Sequence, residues 1–218
     1  IDSIKESGVL IPIVVRPKGK EYEILSGHRR IYACKMAGID KVPAIIRELS
    51  RDEAVIFMVD SNLHREGLLP SEKGFAYKMK LEAMKHEGRT SDQVGQKLTS
   101  VQALADSSSD SKTQVQRYIR LTFLEKPLLD LVDEGRIALT PAVELSHLLP
   151  EEQRNLIETI ESEDCTPSLS QSVRMRKLSN DGLLTMDKIF EIMTEVKGNQ
   201  VEFLKIPTDR VRQYFKPN

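Results

Sequence analysis

The chain has 218 residues, 39% of them hydrophobic and 30% charged, with a formal net charge of −1. That length suits one large domain or two to three small ones, and no apolar run approaches the roughly 20 residues a membrane helix needs. An almost neutral chain has no global positive field, so any contact with nucleic acid must rest on cations gathered locally. The absence of Trp and the 5% aromatic content argue against a base-stacking platform for single strands. Cys34 and Cys165 form no CxxC or Cys/His cluster and read as reduced thiols, not as a zinc site or disulfide. The first residue is Ile1, not Met, which suggests that the natural start lies upstream.

In chain order, Ile1–Ser7 reads as the tail of a helix ended by Gly8. Leu10–Arg16 is β-branched and apolar, as in a buried strand, Pro17–Lys20 is a turn, and Glu21–Leu25 is a second strand. After Ser26-Gly27, residues His28–Ala37 repeat apolar side chains at helical spacing, and Gly38 closes that helix. Val42–Arg47 is a third strand and Asp52–Val59 a further helix. Residues 1–68 thus form a small mixed α/β domain.

From Pro70 the pattern turns helical. Phe75, Met79 and Ala83, four apart, share one helix face. Thr99/Gln102, Ser111/Gln114 and Ser168/Gln171 carry the capping-box spacing. Thr140-Pro141 reads as an N-cap followed by a first-turn proline. Residues 69–178 form an all-α domain. Residues 179–218 form a short C-terminal α/β element, with a helix over Met186–Val196, a strand over Val201–Ile206 and a helix over Thr208–Phe215.

Four segments carry chemistry. Ser26-Gly27-His28-Arg29-Arg30 joins a strand to a helix N-terminus, whose free N–H groups and two forked guanidinium groups suit phosphate. A glycine turn with solvated arginines is the plain alternative. Asn62 and Arg65 are three apart on a helix end, so they face the same way, as a polar surface or as donors to metal and phosphate. In Val101–Leu121, a short helix ends at Ala105, Ser107–Asp110 connects, and a second helix begins at the Ser111 cap. Val115, Tyr118 and Ile119 form its buried stripe. Ser111, Lys112, Thr113, Gln114, Gln116, Arg117 and Arg120 offer the amide and cationic groups that base edges and phosphates need. Val173–Lys177 is a basic helix, readable as a phosphate contact or a solvated face.

Taken in order, these segments resemble the ParB-type partition family. Gly8 to Val15 resembles its nucleotide-contacting strand motif, Gly27 to Arg30 its arginine phosphate motif, and Asn62 to Glu66 with Pro70 its second phosphate and metal motif. Ala105 to Leu121 resembles its helix-turn-helix, and Gly135 to Leu139 the segment beyond. His28 stands where the family has Glu, Ser61 where it has Glu, with Asp60 just before, and Ile11 where Gln is common.

The resemblance, which covers roughly residues 1–178, implies an α+β fold. A ParB/sulfiredoxin-like nucleotide domain would precede a helix-turn-helix domain. It implies CTP held by Gly8, Val9, Ile11, Pro12, Ser26, Gly27, His28, Arg29, Arg30, Ser61, Asn62 and Arg65, with Mg2+ at Asn62. It further implies a cytoplasmic, nucleoid- or plasmid-associated homodimer on a palindromic duplex site, a clamp switched by CTP, and a ParA-type ATPase partner. Weak CTPase activity stays open. A helix-turn-helix regulator that uses no nucleotide and a phosphotransfer enzyme on the same fold are the other readings.

Overall fold

The computed structural model describes residues 8–63, 65, 67–90, 99–106, 108 and 110–195. The expected helix tail at 1–7 and the strand and helix expected at 201–206 and 208–215 lie outside them, as do His64, Glu66, Ser107 and Ser109.

Strand β1 (Ile13–Lys18) pairs antiparallel with β2 (Glu21–Ser26) and parallel with β3 (Ala44–Ile46), giving the order β2-β1-β3. The two-residue loop Gly19-Lys20 closes the hairpin, with Gly19 at φ 64°, the positive φ that such tight turns need. The expected turn over Pro17–Lys20 is therefore shorter. Pro17 and Lys18 belong to β1, and Pro17 is tolerated because β3 pairs only with Ile13–Val15. Nor is 10–16 a fully buried strand. Ile13 and Val15 are buried while Val14 and Arg16 between them are half-buried, the alternation of a sheet covered on one face. Leu10 and Ile11 precede the strand and are 80% and 67% exposed.

Helix α1 (His28–Ala37) starts from Gly27 and ends at Gly38, both in the left-handed region. The Ile39 N–H closes the turn by donating to the Cys34 carbonyl at 2.9 Å. Cys34 is buried in the core, as its helical spacing suggests. Helix α2 (Arg51–Leu63) begins with a reciprocal capping box: the Ser50 N–H donates to Glu53 Oε2 at 2.7 Å and the Glu53 N–H to Ser50 Oγ at 3.1 Å.

Helix α3 (Pro70–Thr90) packs on α2 and carries the second unit. The Asp133 carboxylate accepts the Ser71 N–H at 3.0 Å and the Ser71 hydroxyl at 2.5 Å, capping the α3 N-terminus. Of the face expected from Phe75, Met79 and Ala83, only Ala83 is buried. The helix turns Gly74, Tyr77 and Lys80 inward instead, because α2 and the helix pair that follows lie on that side.

That pair is α4 (Thr99–Asp106) and α5 (Lys112–Leu121). Tyr77, Leu104, Ala105 and Val115 form a small core that joins it to α3. Helices α6 (Lys126–Asp133), α7 (Leu139–Leu145), α8 (Pro150–Glu163), α9 (Leu169–Asn180) and α10 (Met186–Thr194) surround the larger core. Two expectations change here. Helix α7 is capped by Ala138, so Thr140 and Pro141 lie inside its first turn. The boundary at 178 also falls inside a packed unit: Leu184, Ile189, Ile192 and Met193 share the core of α6–α9, and Gln171 Nε2 donates to the Ile192 carbonyl at 2.6 Å. The Ser168/Gln171 capping box forms as its spacing suggests.

Candidate nucleic-acid interface and phosphate turn

The short helix pair is held by three things. Ser111 caps α5, its hydroxyl accepting the Gln114 N–H at 3.3 Å. Just before it, Asp110 accepts Tyr77 Oη–H at 2.7 Å and pairs with Lys73 at 3.2 Å, so α3 grips the start of α5. Burial, followed by the neighbouring Asp110, pushes the Tyr77 hydroxyl up to about 12, against a lowering by Ser108. Finally, α3 and α5 cross where α3 has no side chain. A Cβ on Gly74 would lie 2.6 Å from the Tyr118 carbonyl oxygen.

This packing buries Val115 and Leu121 and turns the other side of α5 outward. Ser111, Thr113 and Gln116 are exposed, and Lys112 and Gln114 are half-buried. The side chains of Lys112, Thr113, Gln114 and Gln116 make no hydrogen bond or ion pair with described residues. The two arginines differ from that expectation. Arg117 donates to Thr140 Oγ1 on α7. Arg120 donates through Nε to Ser146 Oγ at 3.0 Å and through Nη2 to the Ser146 carbonyl at 2.8 Å. Both brace α7 against α5. The basic run on α9 is also engaged: Arg174 pairs with Glu195 at 2.5 Å and Arg176 with Glu144 at 2.9 Å.

In the α/β unit, Gly27 has φ 106° and sits so close to β1 that a Cβ would lie 2.6 Å from Ile13 Cγ2. Its carbonyl accepts the Arg30 and Ile31 N–H groups. The His28 and Arg29 amides begin the helix without a side-chain cap, beside the exposed Arg29. Arg30 turns back and donates Nη1 to the carbonyls of Ile11 and Pro12 at 2.8 and 2.6 Å. It thus joins the 8–12 segment to the Ser26–Arg30 turn, two segments the sequence separates. Gly8 has φ 66° in the exposed approach to β1, and Val9 and Pro12 are half-buried.

The second expected phosphate segment is less open. Ser61 Oγ and Asn62 Nδ2 both donate to the Met58 carbonyl, at 2.8 and 3.0 Å. Arg65 is exposed, and its backbone N–H donates to the Asn62 carbonyl at 2.9 Å. Among the described residues no hydrogen bond or ion pair ties Asn62 or Arg65 to the Gly27 turn. Asp60 pairs with Lys80, a lysine whose side chain is 4% exposed, so its carboxylate balances a buried cation.

Sequence reading passed over a cleft of about 720 Å³ between the β1–β2 hairpin and α2, lined by Arg16, Lys18, Tyr22, Arg51 and Met58 and reaching His28. Arg16 and Lys18 share Glu23 there. Hydrogen bonding to Arg16 first, and to Lys18, holds the Glu23 carboxyl below the usual range. No local pattern signals this cleft, because its walls come from separate elements.

Residues 1–63 match the ParB N-terminal domain. Chromosome-partitioning protein Spo0J of Thermus thermophilus is 34% identical over 152 residues, covering 70% of this chain and 51% of that one. Stage 0 sporulation protein J of Bacillus subtilis is 34% identical over 138 residues, covering 63% and 44%. The chain thus spans about half the length of the curated relatives it matches. A crystal structure of C-terminally truncated chromosome-partitioning protein ParB from Caulobacter crescentus, complexed to the centromeric parS site, superposes with a TM-score of 0.50 at 22% identity. It covers 80% of this chain and 85% of that one, a likeness of fold. Residues 1–63 thus belong to the ParB N-terminal domain family, and the chain that carries this domain ahead of a capped helix pair of the helix-turn-helix kind is similar to ParB-type partition proteins over 70% of its length.

Proposed function

We propose that this chain is a DNA-binding partition protein in which α5 is the recognition helix. The observation that carries the reading is the outward row of Lys112, Thr113, Gln114 and Gln116. These donors and acceptors lack partners among the described residues, on a helix whose start is fixed by Ser111 and Asp110. Amide and cationic side chains of this kind read base edges and neutralise phosphate in the major groove. The relatives are named for chromosome partitioning, and the structurally similar ParB was crystallised on the parS site. A homodimer on a palindromic site and a ParA-type ATPase partner belong to the same reading.

The Gly27 turn suits a nucleotide triphosphate, CTP by family resemblance. Gly27 brings the turn against β1, the first amides of α1 have no side-chain cap, and Arg29 in that first turn is exposed. Arg30 orders the Ile11-Pro12 wall of that turn by holding its carbonyls. The residues present do not make a cage for Mg2+. Asp60 is paired with Lys80, and Asn62 supplies one neutral oxygen where the ion seeks charged ones.

The test is to capture fragmented genomic DNA on the full chain, with and without CTP, and sequence it. Enrichment of one palindromic site, changed by CTP, supports the reading; uniform recovery of all sequences in both conditions overturns it. The second reading, a helix-turn-helix regulator without nucleotide, is favoured by the Asp60–Lys80 pair and by His28 in the phosphate turn. Calorimetry separates the two. Heat of CTP binding that Arg29→Ala abolishes belongs to the first, and site-specific DNA binding with no CTP heat belongs to the second.

A further inference from the structure

Phe123 follows the recognition helix and is 53% exposed, although Leu121 and Leu124 on either side are buried. Two cations converge on this ring. The Arg120 guanidinium carbon lies 4.6 Å from its centre, and Lys78 Nζ, reaching across from α3, lies 5.2 Å from it. Both sit on one ring, so they are no more than about 10 Å apart. Neither has a carboxylate partner among the described residues. Arg120 commits Nε and Nη2 to Ser146, which fixes the guanidinium plane and leaves Nη1 for a further acceptor. Arg176 also lies nearby, its own charge paired with Glu144 at 2.9 Å. Desolvation first, and Arg176 second, lower the proton affinity of Arg120.

Like charges gathered at one place repel, and an exposed ring face offsets only part of that cost. A bound anion offsets the rest. The cluster lies at the C-terminal end of α5, and duplex phosphates border the groove that a recognition helix enters. The geometry points to a phosphate grip, formed by Lys78 and Arg120 about the Phe123 ring, that holds the DNA backbone beside the recognition helix. This inference rests on the DNA-binding reading above and adds Lys78 and Phe123 to it, residues outside the helix-turn-helix pattern.

The test titrates the full chain with a short fluorescent duplex of mixed sequence across a range of salt concentrations, because backbone contacts set the salt slope. Lys78→Ala removes one phosphate contact, and the slope of log affinity against log salt flattens by about 0.9. A fourfold rise in salt then weakens this variant about 3.5-fold less than the parent chain. Lys78→Arg keeps the parent slope, and Phe123→Ala lowers affinity by releasing both cations. Lys126→Ala, at an exposed lysine paired with Asp130 on α6, is the control and leaves the slope unchanged. If Lys78→Ala keeps the parent slope, or Lys126→Ala flattens it equally, the grip is wrong while DNA binding stands. If the parent chain binds no duplex even at low salt, the DNA-binding reading falls, and the grip with it.

Discussion

Gly74→Ala tests the helix crossing that positions the recognition helix. Gly74 lies inside α3 with ordinary helical backbone, so alanine there gains about 1 kcal/mol of helix propensity. Against this, the new Cβ would sit 2.6 Å from the Tyr118 carbonyl oxygen and 3.4 Å from Thr122 Cγ2. The first obstacle is backbone within α5 and cannot rotate away, so the two helices must part by several tenths of an ångström. Overpacking costs about 1–3 kcal/mol, and a rigid obstacle belongs to the upper half of that range. The net loss is about 1–2 kcal/mol, which for a chain of this size lowers Tm by roughly 2–8 °C. Thermal unfolding followed by far-ultraviolet circular dichroism measures it, with Glu82→Ala, at an exposed position of the same helix, as reference. The parting helices also displace α5, so the variant binds DNA more weakly at a temperature where it is folded. A Gly74→Ala chain that melts at or above the parent temperature refutes the close crossing.

Asp133→Ala uncaps α3 by removing the acceptor for the Ser71 N–H and hydroxyl; urea unfolding should show a loss of about 1–2 kcal/mol. Tyr77 is raised to about 12 in the folded chain from an ordinary 10, so its contribution is complete below pH 10 and is lost as pH rises toward 12. Tyr77→Phe should remove that alkaline component of a stability–pH curve. His147 is lowered, by burial first and then by Arg120 and Arg176, against the opposing pull of Glu144. Its stabilising contribution is therefore present above pH 6.5 and is lost as pH falls below it. His147→Gln should flatten the acid limb of the same curve, and an unchanged limb would show that His147 titrates freely.

Local chemistry alone determined where several elements start and stop. Helix α1 runs from Gly27 to Gly38 because glycine takes the left-handed turns at both ends, and α5 begins at Ser111 because a hydroxyl can accept a first-turn amide. The Ser50/Glu53 spacing is a signal of the same kind that went unread, and it starts α2 one residue ahead of the expected Asp52. These signals act over three or four residues, which is the range a sequence displays directly. The choice of partners belongs to the tertiary structure. Arg30, Arg117 and Arg120 read alike as free cations, yet each is tied to an oxygen 18 to 26 positions away in the chain. Phe75 and Met79 lie outside while Gly74 and Tyr77 lie inside, because the side of α3 that is covered depends on where α2 and α5 pack. Asp60 sits beside the expected metal segment but faces Lys80, which only the docking of α2 on α3 brings to it. Spacing fixes which side chains share a helix face, and long-range packing, which buries apolar area wherever it is greatest, decides what that face meets.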